Sequence, residues 1–338
     1  MLECDVIHAA LAFCDPKGTY ARHAAVVMVS MFENTSSKLC VHIIHDNTLT
    51  EYNRAVFEKT ALKYGQELDF INVESLLDGT SIDVSKLTID GARGTLFRLL
   101  IPDLIKVDKL LYLDCDLIIN LDIAEFWNIE VEDYALAAVR DVWSLDYLDG
   151  KPIPWRYAMI WDLMEVKHDS YFNAGVISMN LKKIRAEYNF LQDVEAFYNK
   201  YKKCITLADQ DCLNYIFSGC VRYIDEKFNR IGTDQYFECN SKSIWHMAGG
   251  AKPWTMCSVG SVDELYWHYL SKTAYCSNSD ELISLMVSML STSPFMHRHS
   301  SDCIKRLKKQ MGDNIFRSHI WTVPYMLVMK FKRNLGIR

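Results

Sequence analysis

Long apolar runs are missing from this 338-residue chain. None approaches the length of about 18 residues that a membrane-spanning helix needs, so the sequence predicts no such helix. The first residues predict no signal peptide either. MLECDVIHAALAF carries acids where a signal peptide carries lysine or arginine. No two of the eleven cysteines form CxxC; they are scattered at 4, 14, 40, 115, 204, 212, 220, 239, 257, 276 and 303. Most fall in strand-like or helical apolar patterns, where a reduced cysteine acts as a small hydrophobe. That argues against zinc and against a disulfide framework, and for a reducing, cytoplasmic setting. Internal repeats and low-complexity tracts are absent as well.

What is present is an ample core, since 50% of the residues are hydrophobic. The length suits one large α/β domain with an appendage, or two small domains. The formal charge of −6 conceals an asymmetry. Residues 295–338 hold ten Lys or Arg against two acids, a net of +8, and the first 294 hold 27 against 41, a net of −14. An acidic body with a basic tail fits a surface-docking appendage and not general nucleic-acid binding.

The spacing predicts strands over 6–13, 40–45 and 67–73 alternating with helices over 20–32 and 51–64. A helix over 95–104 leads into the apolar run KLLYL at 109–113, and a further strand covers 135–139. Beyond the loop DGKPIPW come a helical lean over 159–165, a strand over 175–179, helices over 190–203 and 209–217, and a strand over 221–224. Such alternation implies βαβ units and a mainly parallel sheet flanked by helices. From about Asp263 the pattern is helical and increasingly basic.

KLLYLDCDLII (109–119) sets Asp114 and Asp116 either side of Cys115, just after the apolar run. In an extended chain the two aspartates project to one side. Ligands of open α/β sheets bind at strand ends. Two carboxylates there need a cation or strong donors, and hard oxygens suit Mg²⁺ or Mn²⁺. The competing reading is a strand that exits into a polar turn.

Three other segments and two single residues bear on that choice. In YFNAGVISMN (171–180) Asn173 precedes a small-residue turn; its amide suits sugar hydroxyls, or it is a plain turn asparagine. In ADQDCLN (208–214) Asp209 caps a helix or orients a hydroxyl, with Gln210 facing an anomeric carbon. In HMAGGAKPW (246–254) neutral His246 is a metal ligand, Gly249-Gly250 lets backbone N–H groups approach an anion, and Lys252 adds a point charge. Asp15 suits a base edge and Arg98 a phosphate or sugar, with surface salt bridges as the alternative for both.

YLDCD, YFNAGV…MNLKK, ADQD.LN and H..G..KPW, in that order, closely resemble glycosyltransferase family 8, from about Ala10 to Trp254. Its members include galactosyl- and glucosyltransferases of bacterial lipopolysaccharide and capsule synthesis. The resemblance implies a Rossmann-like GT-A fold, placed here over residues 1–262 with the helical basic region over 263–338 beyond it, a UDP-sugar donor with Mn²⁺ or Mg²⁺, and retention of anomeric configuration. By position it implies Asp114, Asp116 and His246 as metal ligands, with Cys115 contributing its backbone. Asp15, the Phe13 backbone and Tyr20 would meet uracil, and Gly249 and Lys252 the diphosphate. Arg98, Asp141, Asn173 and Asp209 would hold donor-sugar hydroxyls, and Gln210 would lie beneath the anomeric carbon. PKGTY after Asp15 is about two residues longer than the family's compact form, and Met247, Ala248 and Gly250 depart from its usual residues.

These readings combine into a cytoplasmic hexosyltransferase using UDP-glucose or UDP-galactose, with lipopolysaccharide core, capsule or exopolysaccharide, or a glycoprotein glycan, as the acceptor. Loops 76–92 and 143–170 would shape the acceptor site. In IWTVPYMLVMKFKRNLGIR (320–338) aromatic and basic residues mix, which suits docking on the anionic inner face of the membrane, near a lipid-linked acceptor. The alternative is a terminal helix packed on the core. Two other functions are weighed: a phosphohydrolase, against which the apolar Leu117-Ile118-Ile119 counts, and a non-catalytic nucleotide-sugar-binding protein.

Overall fold

The computed structural model describes residues 6–74, 93–201, 203–231, 241–249, 252–255 and 261–291. They divide between two compact units, the first running to Ile231 and including Lys242–His246, the second continuing from Met247. The basic tail and loop 76–92 lie outside the described residues. No helix among the described residues is long and apolar enough to cross a membrane.

The first unit opens with β1 (Ile7–Phe13), α1 (Ala21–Glu33), β2 (Leu39–His45), α2 (Glu51–Tyr64) and β3 (Glu67–Asn72). β1 and β2 are buried on both faces, as parallel strands under helices must be. Thr50 caps α2 by accepting from Asn53 N–H, and Gly65 ends it at φ 64°. The helix expected over 95–104 forms in pieces: α3 (Arg93–Leu96), a 3₁₀ turn (Phe97–Leu100) and α4 (Ile101–Leu104). Pro102 is the cause. It lacks the N–H that would bond Arg98 C=O, so the chain tightens and restarts with proline in the new first turn.

Then follow β4 (Lys109–Leu113), β5 (Leu117–Ile119), α5 (Ile123–Trp127), β6 (Leu136–Arg140), α6 (Val142–Leu148), α7 (Trp155–Leu163) and β7 (Phe172–Asn180). After them come α8 (Leu181–Glu187), α9 (Phe190–Tyr201), α10 (Ala208–Ile216), β8 (Val221–Tyr223), β9 (Arg230–Ile231) and β10 (Ile244–His246). Seven strands form one sheet in the order β3-β2-β1-β4-β7-β6-β8. All neighbours are parallel except β7, which runs antiparallel to both β4 and β6. Its core packs Phe97, Tyr112, Trp161, Phe172, Phe197 and Phe217.

The reversed strand is what builds the site. It brings its N-terminal end to the edge where β1, β4 and β6 finish. Asp114 N–H thus donates to Gly175 O (2.8 Å), and Asp141 N–H to Tyr171 O (2.9 Å). A small second sheet, β5-β10-β9, pairs His246 with Leu117, so His246 lies beside Asp116. Two expectations need correction. β4 ends at Leu113, so Asp114 and Asp116 sit on a turn where the chain crosses between sheets, and strand alternation does not align them. Asn173 lies inside β7, not before a turn.

The second unit holds α11 (Ser261–Lys272) and α12 (Ser279–Ser291). Tyr266 and Trp267 are buried there, and Trp254 packs on Tyr266 with ring centroids 5.0 Å apart.

Candidate active site

The ligand atoms of Asp114, Asp116 and His246 lie within 4.8 Å of one another. His246 Nε2 is 3.4 Å from Asp116 Oδ1 and 3.9 Å from Asp114 Oδ2. Gly175 makes the space. A Cβ there would come 2.3 Å from His246 Cε1 and 2.8 Å from Asp114 Oδ2. A glycine inside a strand often marks such a close approach.

The protonation of His246 follows from a chain of contacts that begins at the backbone. Gly175 N–H donates to Asn173 Oδ1 (3.0 Å), which fixes that oxygen. Asn229 must then turn its Nδ2 to the same oxygen (2.9 Å). Its own Oδ1 therefore faces His246 Nδ1 (2.9 Å), which has to be the protonated nitrogen. In the neutral ring the lone pair then lies on Nε2, on the side of the two aspartates. A metal-binding histidine needs this tautomer and this support.

Asp114 divides its two oxygens. Oδ1 accepts from Arg98 Nη2 (2.8 Å) and Tyr112 OH (2.7 Å), leaving Oδ2 on the His246 side. Arg98 is 4% exposed, so the surface salt-bridge alternative does not hold for it. Its Nε meets Asp209 Oδ2 (2.7 Å), its Nη1 donates to Ala174 O (2.5 Å), and its guanidinium lies over the Tyr112 ring. Burial works against the Arg98 charge, but Asp114 and Asp209 outweigh it and hold the guanidinium protonated.

Asp141, Asn173 and Gln210 form the adjoining cluster, all buried. Gln210 Oε1 accepts from Ala174 N–H (3.0 Å), so its Nε2 points to Asp141 Oδ2 (3.2 Å). Asn173 Nδ2 donates to that same oxygen (3.3 Å), and Asp141 Oδ1 accepts from Trp143 N–H (3.2 Å) at the start of α6. Burial pushes the Asp141 carboxyl above its usual range, and these donors bring it part of the way back. Asn214 ties α10 to β7 through Phe172 N–H (2.8 Å) and Phe172 O (2.9 Å), which fixes where Gln210 emerges.

The helix-capping alternative for Asp209 is also overturned. Its carboxylate is turned to Arg98, and Asp211 instead accepts from Thr206 and Leu207 N–H (both 2.9 Å) ahead of α10. Asp15 is buried, six residues ahead of the first residue of α1. Its carboxylate accepts from Thr19 and Tyr20 N–H (both 2.7 Å), Ala21 N–H (3.1 Å) and Asn53 Nδ2 (2.9 Å). The longer PKGTY segment closes as a turn on it, with Gly18 N–H donating to Asp15 O (2.9 Å). Tyr20 is 38% exposed and packs against buried Phe13, with ring centroids 6.2 Å apart. Cys115 is buried, its thiol 3.8 Å from Ala12 O. Gly249 and Lys252 belong to the second unit. Gly249 has φ +89°, which favours glycine, and Lys252 Nζ donates to Met247 O across the turn. Gly250 lies outside the described residues.

Asn229, Tyr112 and Gly175 escape a reading of the sequence. Gly175 alone carries a local signal, as a glycine embedded in an apolar strand. Two carboxylates and one imidazole with a free lone pair make a fitting donor set for a divalent cation. The sequence also matches the model of glycosyl transferase family 8 over residues 13–257. The chain belongs to glycosyltransferase family 8. The chain is similar to general stress protein A of Bacillus subtilis, 26% identical over 76% of this chain and 91% of that protein. A putative glycosyltransferase of Haemophilus influenzae is 27% identical over 87% of this chain and 86% of its own. The fold is that of GT-A glycosyltransferases. A crystal structure of the galactosyltransferase LgtC with donor and acceptor sugar analogues superposes with a TM-score of 0.64, at 22% identity, over 83% of this chain and 100% of that one.

Proposed function

We propose that this family 8 glycosyltransferase is a metal-dependent, retaining hexosyltransferase. It moves galactose or glucose from UDP-galactose or UDP-glucose to a growing bacterial surface glycan: lipopolysaccharide core, capsule or exopolysaccharide. The observation that carries the reading is the convergence of Asp114, Asp116 and His246, with the imidazole proton held on Nδ1 by Asn229. These three residues would hold Mn²⁺ or Mg²⁺, which would supply positive charge to offset that of the departing diphosphate.

In this reading the rest of the site orients the donor. Asp141, Asn173, Arg98 and Asp209 hold sugar hydroxyls, and Gln210 lies under the anomeric carbon, pinned at both ends of its amide. The Phe13 backbone, Asp15 and Tyr20 bound the base pocket, while Gly249 and Lys252 serve the diphosphate. Retention proceeds on one face of the sugar, the leaving phosphate taking the acceptor's proton. Support comes from the carboxylates that flank Gln210 in the sequence. Asp209 is ion-paired to Arg98, and Asp211 is taken up by Tyr171 and two backbone amides. A lipid-linked acceptor would bring residues 263–338 to the inner face of the membrane.

The test is a panel of UDP-sugars with Mn²⁺, read by UDP release with and without chelator. Metal-dependent turnover of UDP-galactose or UDP-glucose supports the proposal. Binding of a donor with no turnover would make the chain a nucleotide-sugar-binding protein.

A further inference from the structure

Two histidines and a cysteine that take no part in the donor site meet on the large sheet, toward its opposite end. His8 on β1 is the register partner of Cys40 on β2, and His42 follows two residues along β2, so all three project from one face. His8 Nδ1 lies 3.0 Å from His42 Nε2, and one ligand atom from each of the three residues lies within 4.8 Å of the others. The other ring nitrogen of His42, Nδ1, meets Asp69 Oδ2 at 2.9 Å. Asp69 is the register partner of His42 on β3, and Glu67 that of Cys40. His42 is buried, while His8 and Cys40 are partly exposed, so solvent ions reach the cluster.

We propose that His8 Nδ1, His42 Nε2 and Cys40 Sγ form a second metal site, for a divalent cation of the Zn²⁺ class. The donor chemistry carries the argument. Asp69 accepts the Nδ1 proton of His42, which leaves a lone pair on Nε2. A ligating histidine backed in this way by a carboxylate is a recurring metal arrangement. Two imidazole nitrogens 3.0 Å apart need something between them, a proton or a cation. A proton on His8 Nδ1 satisfies the histidines and gives Cys40 no part. A cation engages all three residues, with Glu67 and Asp69 supplying compensating charge. Two imidazoles and a thiolate select Zn²⁺ over the hard ions that suit Asp114 and Asp116. On binding, the Cys40 thiol gives its proton to solvent, the His8 proton passes by way of solvent from Nδ1 to Nε2 so that Nδ1 can ligate, and the fourth position stays open to water. The lack of CxxC in the sequence does not bear on this set. Strand register assembles it from residues 34 apart.

Five residues of strand, ~17 Å, separate His8 from Phe13 at the donor end, so occupancy should leave glycosyl transfer unchanged. The test titrates the full chain with Co²⁺ in excess Mg²⁺, which fills the carboxylate site. An equimolar Co²⁺ complex with a sulfur-to-cobalt charge-transfer band is expected. The band should vanish in Cys40→Ser and persist in Asp116→Ala, and Asp69→Ala should weaken binding about 10–100-fold. Near-ultraviolet circular dichroism and unchanged UDP release by Cys40→Ser confirm that this variant is folded. No such band in the wild type, or one that survives Cys40→Ser, overturns the proposal and leaves a hydrogen-bonded histidine pair.

Discussion

His246 Nδ1 lies 2.9 Å from the side-chain oxygen of Asn229, and a backbone amide three links away sets the direction of that bond. Gly175 N–H cannot accept, so each amide in the relay has one allowed orientation. Replacing Asn229 with alanine frees the imidazole to rotate and to carry its proton on Nε2. Mn²⁺ affinity, measured by titration in the absence of donor, should fall about 10–100-fold. Thermal stability should change far less. Unaltered Mn²⁺ binding would show that the ring is oriented by packing alone.

Gly175→Ala should damage the same site from the other side. The new methyl would stand 2.3 Å from His246 Cε1 and 2.8 Å from Asp114 Oδ2, both nearer than carbon tolerates. The imidazole must turn away, so metal affinity and UDP release should fall together. Gly94→Ala offers a contrast. Its Cβ would meet the backbone of Cys14 and Phe13 at 2.7–3.1 Å, so strain falls on the end of β1. Donor affinity and melting temperature should suffer there while Mn²⁺ binding survives. Titrating Mn²⁺ into both variants separates the two effects.

Arg98 stands between two carboxylates, at 2.8 Å from Asp114 and 2.7 Å from Asp209, whose side chains are 23% and 13% exposed. Arg98→Met keeps the volume and removes the charge. Breaking a buried pair costs about 3–5 kcal/mol, and the partial exposure of Asp114 puts the expected loss near the lower end. Adding Asp209→Asn should recover part of it, because one uncompensated charge disappears. Urea unfolding of the single and double variants measures both. Equal stability of wild type and Arg98→Met would mean that solvent screens this cluster.

Much of the scaffold is legible in the sequence, because periodicity is local. The strands and helices of β1 through β3 stand within a residue or so of their expected bounds. The Asp-Cys-Asp pair is visible because it follows a run of apolar residues. Its geometry is not, since the turn at 114–116 exists to pass the chain into a sheet of two- and three-residue strands, too short to show a period. Asn229 sits in EKFNR, where nothing marks it. Its value arises only when β9 and β10 bring it between Asn173 and His246. Asp209 misleads for the same reason: an acid at a helix start reads as a cap until Arg98, distant in sequence, claims it.

Asp211 carries a pH signature. Burial pushes its carboxyl above the usual range despite hydrogen bonds from Tyr171, Leu207 and Thr206. A carboxyl with a raised folded pKa binds more protons in the native state than in the unfolded chain, between the unfolded value and the folded one. Its ionised form therefore lowers stability at neutral pH. That penalty is relieved as pH falls through the folded pKa toward about 3.9, the unfolded value. Asp211→Asn keeps the shape and removes the titration. The stability of the wild type relative to this variant should rise on acidification, at no more than about 1.4 kcal/mol per pH unit. Parallel urea curves over that window, with no change in their separation, would contradict it.

In the retaining transfer proposed above, Gln210 and Asp209 bear on the route. A double displacement needs a free carboxylate beneath the sugar, as in retaining glycosidases. Gln210 presents an amide held by Ala174 N–H and Asp141, and Asp209 faces Arg98 at 2.7 Å. To attack carbon, Asp209 would have to leave a buried ion pair. Substitution on one face asks less of the protein: Gln210 need only bear on the sugar through hydrogen bonds. Gln210→Ala should therefore retain measurable transfer, reduced by about 10²–10³, the range for loss of one stabilising donor. Asp116→Ala should abolish it. Intact-mass spectra of enzyme quenched during turnover should show no added hexose. A glycosyl adduct mapped to Asp209 would establish the two-step route instead.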